Sequence, residues 1–497
     1  MNVCGLDVGT SGVKAVVFDE KGAGIANAYR AYETQIDPDG KRGLDARRLW
    51  EKTKEALACV CAQTNGDIAA IAVASFGEAF VLLDEHDGVL HDIMIYTDRR
   101  GEKEFLREAE KTSQEEVACV CGLPFSPTYS VSKLLYLKEC RPKLYNRAKK
   151  VLFIEDYVGY LLSGERAVDY SVASRSMLLD AKNCCWSSIM MNQFGIEKAL
   201  FSQTVAAGTV IGTIKKEIAQ ELGAPASMKI VAGIHDQPAS AIGAGLREGS
   251  VACSMGTSEC MTPVFSGMFP VKVTARQGLC SEPVWEKEKY CTLAYNPSSG
   301  LLIEWFFKTF AAAETQQHGA PYALFEEHFP PQPTKIMIQP YLAGSGTPYL
   351  DYLARLGIAG IGLETTRFDL YRAMLEGLAL DQCLNLETIT RQGVAAQSLM
   401  CVGGGSRSRP WLQVKADVMQ IPVSTLDCGE AGALGCAALC AVATGVYASV
   451  EEAAQNMSRV KEVLEPNKGN REFYREKFEQ YRLLHTHLRE ESEYACR

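Results

Sequence analysis

The chain has 497 residues, of which 47% are hydrophobic and 22% are charged, and its net charge is −9. This length exceeds what one hydrophobic core can organise and predicts two or three domains. The composition is ordinary for a soluble globular protein, and the negative charge argues against a nucleic-acid partner, because neutralising phosphates requires a basic face.

The first informative segment is residues 3–19, in which two apolar runs flank Gly9-Thr10-Ser11-Gly12. This pattern predicts a β-hairpin, with a third strand starting near Ile25. Small residues let the backbone of a turn approach a ligand closely, and its N–H groups can bind phosphate. An ordinary glycine-rich hairpin is the alternative that these residues leave open.

Hydrophobic periodicity then predicts a helix over residues 47–64 and a strand over 68–74, which runs on to Ser75-Phe-Gly-Glu78. Two further helices are predicted over residues 133–139 and 151–162. The small polar residues of 169–176 predict a loop.

The segment Ile230–Gly245 begins as an apolar strand and continues as a Pro-bearing, Ala-rich helix, with Asp236 at the change. A switch from strand to helix leaves such a carboxylate at the mouth of a cleft, which suits a catalytic residue. The alternative is that Asp236 only N-caps the helix, with Pro238 in the first turn.

The opening pattern returns in the second half of the chain. Ser250–Ser258 matches Asn2–Ser11 in its apolar lead-in and in its Gly-Thr-Ser turn, almost half a chain length later. This repetition predicts two similar domains, residues 1–246 and 247–497, each offering one phosphate-binding hairpin to a shared cleft.

A later strand runs into Gly403, Gly404 and Gly405, and a helix is predicted over residues 411–419. Bare backbone before a helix N-terminus allows a nucleobase or a phosphate to lie against it, although a tight turn is an equal alternative. The chain contains no GxxxxGK[ST] motif, no GxGxxG after a strand and no protein-kinase HRD and DFG set. From Arg471 onward a charged surface helix is predicted.

The uncharged residues 431–450 and the eighteen cysteines need separate interpretation. Residues 431–450 are rich in Ala and Gly and poor in large apolar side chains, which favours a tightly packed buried helix over a membrane span. The cysteines form no CxxC pair, so we interpret them as small buried residues in a reducing compartment. With no signal-peptide pattern at the N-terminus, we expect a cytoplasmic protein without a membrane partner.

Taken in order, these motifs resemble those of the FGGY carbohydrate kinases, which include glycerol kinase, xylulokinase and the deoxysugar kinases. The resemblance extends from about residue 3 to about residue 445 and is carried by Asp7–Ser11, Gly233–Asp236, Met255–Thr257, Gly403–Gly405 and Glu430–Gly435. It implies an α/β fold of two actin-like (ribonuclease H-like) domains flanking a catalytic cleft. It also implies phosphoryl transfer from ATP to a sugar or polyol.

The resemblance further implies roles for individual residues. Asp236 would be the general base, and Asp7 would lie near Mg²⁺. The residues that would contact the phosphates or line the nucleotide are Thr10, Ser11, Lys14, Gly256, Thr257, Gly403, Gly404 and Gly405. Those that would bind the acceptor are Glu78, Tyr96, Asp236 and Gln237.

The acceptor positions combine features of several family members. Gly77-Glu78 stands where xylulokinases usually have Met-His and glycerol kinases Arg-Glu, and Phe76-Gly77 and His235-Asp236 resemble the deoxysugar kinases. Because Glu78 can grip two hydroxyls and would repel an anion such as gluconate, we expect a small neutral ketose, xylulose- or ribulose-like, or a polyol, glycerol- or erythritol-like.

A competing hypothesis is an actin-like ATPase or a sugar-binding regulatory protein without kinase activity. No helix-turn-helix segment supports a regulator. A homodimer is the oligomeric state that we retain as a hypothesis.

Overall fold

The computed structural model describes residues 1–36 and 41–495, with the side chains of His318 and of residues 485–495 excepted. The strands of residues 1–246 are β1 (Val3–Val8), β2 (Gly12–Phe18), β3 (Gly24–Ala31), β4 (Gln35–Ile36), β5 (Arg42–Leu44), β6 (Ala70–Ser75), β7 (Phe80–Leu83), β8 (Val89–His91), β9 (Ile93–Met94), β10 (Lys150–Phe153), β11 (Ala167–Asp169), β12 (Leu179–Asp180), β13 (Cys185–Trp186), β14 (Gln203–Val205), β15 (Val210–Thr213) and β16 (Lys229–His235). The helices are α1 (Ala46–Gln63), α2 (Glu102–Ala109), α3 (Gln114–Cys121), α4 (Ser130–Cys140), α5 (Pro142–Tyr145), α6 (Ile154–Ser163), α7 (Tyr170–Ser174), α8 (Ser188–Phe194), α9 (Lys216–Leu222) and α10 (Asp236–Gly243).

A six-stranded sheet in the order β15-β16-β6-β1-β2-β3 is the framework of this half. Strands β1, β2 and β3 form an antiparallel meander, while β6 and β16 extend it in parallel and β15 closes the edge. The predicted hairpin is confirmed, since Val8 pairs with Val13 across the turn. Strand β6 is buried along its whole length, as its continuous apolar run indicates.

The second half contains β17 (Ser250–Met255), β18 (Glu259–Thr262), β19 (Val264–Ser266), β20 (Glu282–Pro283), β21 (Lys289–Cys291), β22 (Ala294–Asn296), β23 (Met337–Gln339), β24 (Gly357–Ala359), β25 (Ser398–Val402), β26 (Val423–Leu426) and β27 (Val460–Leu464). Its helices are α11 (Val271–Gln277), α12 (Ser299–Phe310), α13 (Ala312–His318), α14 (Tyr322–Glu327), α15 (Arg367–Thr390), α16 (Arg409–Met419), α17 (Ala431–Ala443), α18 (Val450–Met457) and α19 (Arg471–Ala495).

A second six-stranded sheet, β22-β18-β17-β25-β26-β27, repeats the pattern of the first. Strands β17, β18 and β22 form an antiparallel meander, β25 and β26 extend it in parallel, and β27 is an antiparallel edge. The turn at residues 9–12 and the turn at residues 256–258 therefore occupy equivalent positions, as the repeated Gly-Thr-Ser predicts.

Several predicted elements differ from the structure. Residues 151–162 divide into strand β10 and helix α6, because β10 pairs with β7, and an apolar run alone does not distinguish a buried strand from a helix. The predicted loop at residues 169–176 contains helix α7, whose N-cap Asp169 accepts hydrogen bonds from two backbone N–H groups. The triple glycine enters a 3₁₀ turn, Gly404–Arg407, before α16 begins.

The cysteines are free thiols in the described part of the chain, and most of them are buried. Cys119, Cys140 and Cys185 are exposed, contrary to the expectation of uniformly buried residues.

Helix α17 belongs to the second half but packs on the first sheet and against α10. A Cβ added to Gly5 would lie 1.8 Å from the carbonyl oxygen of Ala433, and one added to Gly435 would lie 2.0 Å from that of Ala239. Only glycine permits backbones to approach so closely. Residues 431–443 are therefore a buried packing helix, as expected. Residues 444–449, which were predicted to continue it, instead form a partly exposed connection to α18, so this part of the prediction is wrong. No helix of the described residues is long and apolar enough to cross a membrane.

We expect Gly435→Ala to lower the thermal unfolding midpoint. The added methyl group meets a backbone carbonyl that has no room to move, and overpacking of this kind costs about 1–3 kcal/mol or more. Gly24→Ala is the control, because no atom lies within 4 Å of the added carbon, and it should change stability by less than about 0.5 kcal/mol. Equal midpoints for the two variants in calorimetry would contradict the tight packing of α17.

Candidate active site

The residues selected from the sequence gather where central strands end. In the first sheet, β1 leads into Gly9–Gly12, β6 into Phe76–Glu78 and β16 into Asp236. In the second sheet, β17 leads into Gly256–Ser258 and β25 into Gly403–Gly405. The carboxyl ends of parallel strands meet at one edge of a sheet, where α/β proteins bind their ligands.

The first glycine–threonine turn is held by its carbonyl groups. The Gly9 carbonyl accepts a hydrogen bond from the Tyr32 hydroxyl at 2.5 Å, and the Thr10 carbonyl accepts one from the Thr34 hydroxyl at 3.0 Å. The Ser11 carbonyl accepts bonds from the Tyr32 backbone N–H and from the Tyr29 hydroxyl. The N–H groups of Thr10 and Ser11 donate no hydrogen bond within the described part of the chain, so they can bind an anion.

The second turn is held in the same way by the start of α12. The carbonyls of Gly256 and Thr257 accept hydrogen bonds from the backbone N–H groups of Gly300 and Leu301, at 3.0 and 3.1 Å. A Cβ on Gly300 would lie 2.4 Å from the Gly256 oxygen, so glycine is required for this contact. The two turns thus share the Gly-Thr-Ser sequence, and in both of them the carbonyl groups accept hydrogen bonds from the surrounding structure.

Lys14 and Asp7 lie opposite each other on the first hairpin. The Lys14 ammonium donates to the Glu430 carboxylate of the second half at 2.5 Å, so this ion pair crosses the cleft. Burial and the nearby Asp236 carboxylate raise the pKa of Asp7 to about 7, Glu430 adds to the effect, and Lys14 opposes it. Asp7 is partly buried, and a partly buried carboxylate among like charges gains by binding a cation.

The three glycines border two cavities of the cleft. A cavity of about 530 Å³ is lined by Lys14, Gly403, Gly404 and Glu430. A second cavity, of about 480 Å³, is lined by Gly256, Thr257, Gly404, Gly405 and Trp411. All eight residues predicted to hold the nucleotide except Thr10 and Ser11 therefore line one of these two cavities.

The four predicted acceptor residues line a single cavity of about 430 Å³. Glu78, Tyr96, Asp236 and Gln237 share it with an aromatic wall formed by Phe76, Tyr129, Tyr295 and Tyr352. Glu78 has a positive φ of 60°. Strained backbone of this kind persists where the surrounding structure holds it, often at functional sites.

Asp236 is the first residue of α10, and the N-cap position belongs to His235. The helix-cap alternative for Asp236 is therefore wrong. The Asp236 side chain is 35% exposed, and its Oδ1 lies 3.2 Å from His235 Nε2. Burial raises the pKa of Asp236, as do the carboxylates of Glu78 and Glu282, while His235 opposes the shift.

Three further residues contribute to this site: Arg175, Glu282 and His235. His235 was named from the sequence beside Asp236 without being given a role, and Arg175 and Glu282 were not named from the sequence at all. Arg175 Nε donates to Glu78 Oε1 at 2.6 Å and its Nη2 to the same oxygen, while Nη1 donates to Glu282 Oε2 at 3.1 Å. The guanidinium carbon lies 5.0 Å from the centre of the Tyr129 ring. Arg175 falls in the segment predicted as a loop, and Glu282 lies in a segment without hydrophobic periodicity. No sequence pattern therefore indicated that either residue belongs to the site.

Gln237 has a buried Oε1 with no hydrogen-bond partner in the described part of the protein. A buried amide oxygen without a partner is costly. Since Gln237 lines the acceptor cavity, a ligand hydroxyl donating to this oxygen would remove that cost.

Comparison with known proteins agrees with this geometry. The model of the N-terminal domain of the FGGY family of carbohydrate kinases matches residues 2–243, and that of the C-terminal domain matches residues 251–444. The chain belongs to the FGGY family of carbohydrate kinases. It is thus a carbohydrate kinase, which sets aside the alternative of a protein without kinase activity.

Xylulose kinase of Bacillus subtilis (strain 168) is 27% identical over 496 residues, which cover 98% of this chain and 97% of that protein. L-fuculokinase of Escherichia coli (strain K12) is 30% identical over 465 residues, covering 90% and 93%. The crystal structure of xylulose kinase from Rhodospirillum rubrum superposes with a TM-score of 0.89 at 23% identity, covering 99% of this chain and 100% of that one. The predicted fold of two actin-like domains is confirmed.

We expect His235 to make stability depend on pH. Glu282 and Asp236 outweigh burial and raise the pKa of His235 to about 9, against an ordinary value of 6.5. The stabilisation from the protonated ring is complete below pH 6.5 and is lost as the pH rises through 9, a change of about 3 kcal/mol. The thermal midpoint of the wild type should fall over this range more steeply than that of His235→Gln, and parallel profiles would show that His235 is not charged in the fold.

Proposed function

We propose that this kinase transfers the γ-phosphoryl group of ATP to a hydroxyl of a small neutral ketose or polyol. The observation that carries the proposal is the position of Asp236. Its carboxylate lines the acceptor cavity and also interacts electrostatically with Asp7, which precedes the first phosphate turn. A base in this position lies between the acceptor cavity and the phosphate turn, close to both the acceptor hydroxyl and the phosphoryl group.

In the proposed reaction, Asp236 accepts the proton of the acceptor hydroxyl as that oxygen forms a bond to the γ-phosphorus. The bond from the γ-phosphorus to the oxygen that bridges it to the β-phosphate breaks, and ADP leaves with the electron pair. The raised pKa of Asp236 favours this role, because a general base works best when its pKa approaches the working pH.

The nucleotide would lie between the two halves. We assign the phosphates to the turns containing Thr10, Ser11, Gly256 and Thr257, whose carbonyls are already engaged, and the rest of the nucleotide to residues 403–405. Lys14 would exchange its Glu430 partner for a phosphate. We place the reaction in the cytoplasm, where thiols such as those of Cys253 and Cys401, which pair across neighbouring strands, stay reduced.

Magnesium fits the surroundings of Asp7. Mg²⁺ prefers oxygen ligands and usually binds through one or two carboxylates together with substrate phosphates and water. No group of three metal-ligating side chains occurs among the described residues, so phosphates and water would complete the coordination around Asp7. When bound, the ion would neutralise charge on the phosphoryl group.

The preference for a neutral acceptor follows from the charges of the cavity. Arg175 and His235 are the cations that line it in the described part of the chain, and both are ion-paired with carboxylates. A gluconate-like anion would therefore find no unpaired cation. The sequence argument relied on Glu78 repelling an anion. In the structure Arg175 neutralises Glu78, so the preference for a neutral acceptor depends instead on the lack of an unpaired cation among the described residues of the cavity.

Hydroxyl groups, by contrast, find complementary partners. Both Arg175 bonds converge on Glu78 Oε1, which leaves Oε2 as an acceptor, and Gln237 Oε1 lacks a partner within the described chain. The aromatic wall suits the C–H faces of a small sugar. Similarity to a xylulose kinase and an L-fuculokinase supports a ketose in particular.

We expect Asp236→Asn to reduce turnover by about 10²–10⁴-fold, the usual worth of general-base catalysis. ATP binding and the thermal midpoint should stay close to those of the wild type. Turnover is measured as acceptor-dependent ADP release, with the exposed Asp92→Asn as the control. Near-normal turnover of Asp236→Asn would exclude this residue as the base.

A panel of triitols, tetritols, pentitols, ketopentoses, deoxyketoses and gluconate tests the acceptor. With the best neutral acceptor, Glu78→Gln should raise the acceptor KM at least about 10-fold, since a buried bond to a charged group is worth roughly 1.5–3 kcal/mol. The KM for ATP should stay unchanged. Gluconate as the best acceptor, or an unchanged acceptor KM in the variant, would contradict the assignment.

A further inference from the structure

A row of alternating charges runs beside the acceptor cavity and passes behind its wall at Glu282, in the order Glu78, Arg175, Glu282, His235 and Asp236. Arg175 bridges Glu78 and Glu282. His235 Nδ1 lies 2.9 Å from Glu282 Oε1, and its Nε2 lies 3.2 Å from Asp236 Oδ1. The row thus joins the carboxylate proposed to bind the acceptor to the carboxylate proposed as the base.

Glu282 is the one member of this row that comes from the second half of the chain. It begins β20, in the three-stranded sheet β19-β21-β20, and β20 packs against α7 of the first half. The Glu282 side chain is fully buried and does not line the acceptor cavity. Each of its two oxygens accepts from a different first-half residue, so it fixes Arg175 and His235 together.

Gly77 supplies the space for this arrangement. A Cβ on Gly77 would lie 2.8 Å from Arg175 Cγ and 3.2 Å from His235 Nε2. A larger residue at this position would push apart the two cations that Glu282 holds. Position 77 therefore needs a glycine because the Arg175 side chain, which comes from a distant segment of the chain, occupies the space that a side chain at position 77 would fill.

We infer that Glu282 is a positioning residue, inserted by the second half behind the acceptor site to hold the acceptor-binding Glu78 and the base Asp236 in their reactive geometry. The inference rests on the proposed function and extends it. Glu282 contacts neither the acceptor cavity nor Asp236 and acts through Arg175 and His235. The acceptor site is therefore complete only while the sheet β19-β21-β20 is docked on the first half.

Removing the charge of Glu282 has two consequences. The charged groups that face His235 are Glu282 from β20, Asp236 from α10 and Arg175 after α7. Without the Glu282 charge, Arg175 opposes protonation of His235 and only Asp236 favours it, so the ring loses its proton at a lower pH. Arg175 in turn loses one of two anchors and orients Glu78 less well.

Glu282→Gln keeps the size of the side chain and removes its charge. We expect kcat to fall about 10²-fold, as a misplaced reacting group implies, and the acceptor KM to rise while the KM for ATP stays unchanged. The alkaline limb of kcat, which in the wild type should follow the loss of the His235 proton near pH 9, should move to lower pH. A purely structural role for Glu282 would lower the thermal midpoint without moving this limb.

Glu286→Gln is the matched control, because Glu286 follows β20 in the same small sheet region and is exposed. It should leave kcat, both KM values and the pH profile unchanged. Should Glu282→Gln fail to fold, Arg175→Lys tests the same connection between Glu282 and Glu78. Lysine keeps the positive charge but lacks the planar guanidinium that binds both carboxylates. That variant should raise the acceptor KM at least about 10-fold without changing the KM for ATP.

The outcomes separate this inference from the proposed function. If Asp236→Asn abolishes turnover while Glu282→Gln shows wild-type kcat, acceptor KM and alkaline limb, the positioning role is overturned and the kinase mechanism stands. An unchanged acceptor KM in Arg175→Lys would overturn it likewise. If Asp236→Asn retains turnover, the proposed base itself fails.

Discussion

The close approach of α17 to the first sheet and to α10 is the contact on which the rest of the structure depends. Three glycines, Gly5, Gly243 and Gly435, each lie so near a carbonyl of the facing backbone that a Cβ would come within about 2 Å of it. A contact made by backbone against backbone allows little sliding. It therefore fixes the second half on the first, and with it the relative positions of the strand ends that carry the site.

That fixed arrangement allows charges to be buried at the cleft. Isolated buried charges are costly, and buried ion pairs are tolerated when their geometry and hydrogen bonds are good. Four buried side chains satisfy one another's charges in this way, because each lies against a partner of opposite sign: Glu78, Arg175, Glu282 and His235. Asp236 ends the row with a part-exposed carboxylate, and this exposure suits the role of base that we propose for it.

The part of the cleft that we propose for the nucleotide is built differently, by repetition of one turn in both halves of the chain. Each half builds a Gly-Thr-Ser turn whose carbonyls are held from behind, by Tyr32 and Thr34 in one case and by the start of α12 in the other. The N–H groups of Gly9 and Gly256 donate within their own turns, whereas those of Thr10, Ser11 and Thr257 donate no hydrogen bond among the described residues and can bind an anion. The cavity that we propose for the acceptor has no such repetition and depends on residues from unrelated segments.

The sequence by itself determined the repeated hairpins, the strand-to-helix switch at Asp236, the buried Ala- and Gly-rich helix and the family, because each is encoded in a short local pattern. It did not reveal strand β10, helix α7 or the exposed cysteines, since these depend on which neighbour the segment meets. Arg175 and Glu282 were missed for the same reason. They lie 97 and 204 residues from Glu78 along the chain, and only the tertiary structure, by burying opposite charges together, makes them part of one site.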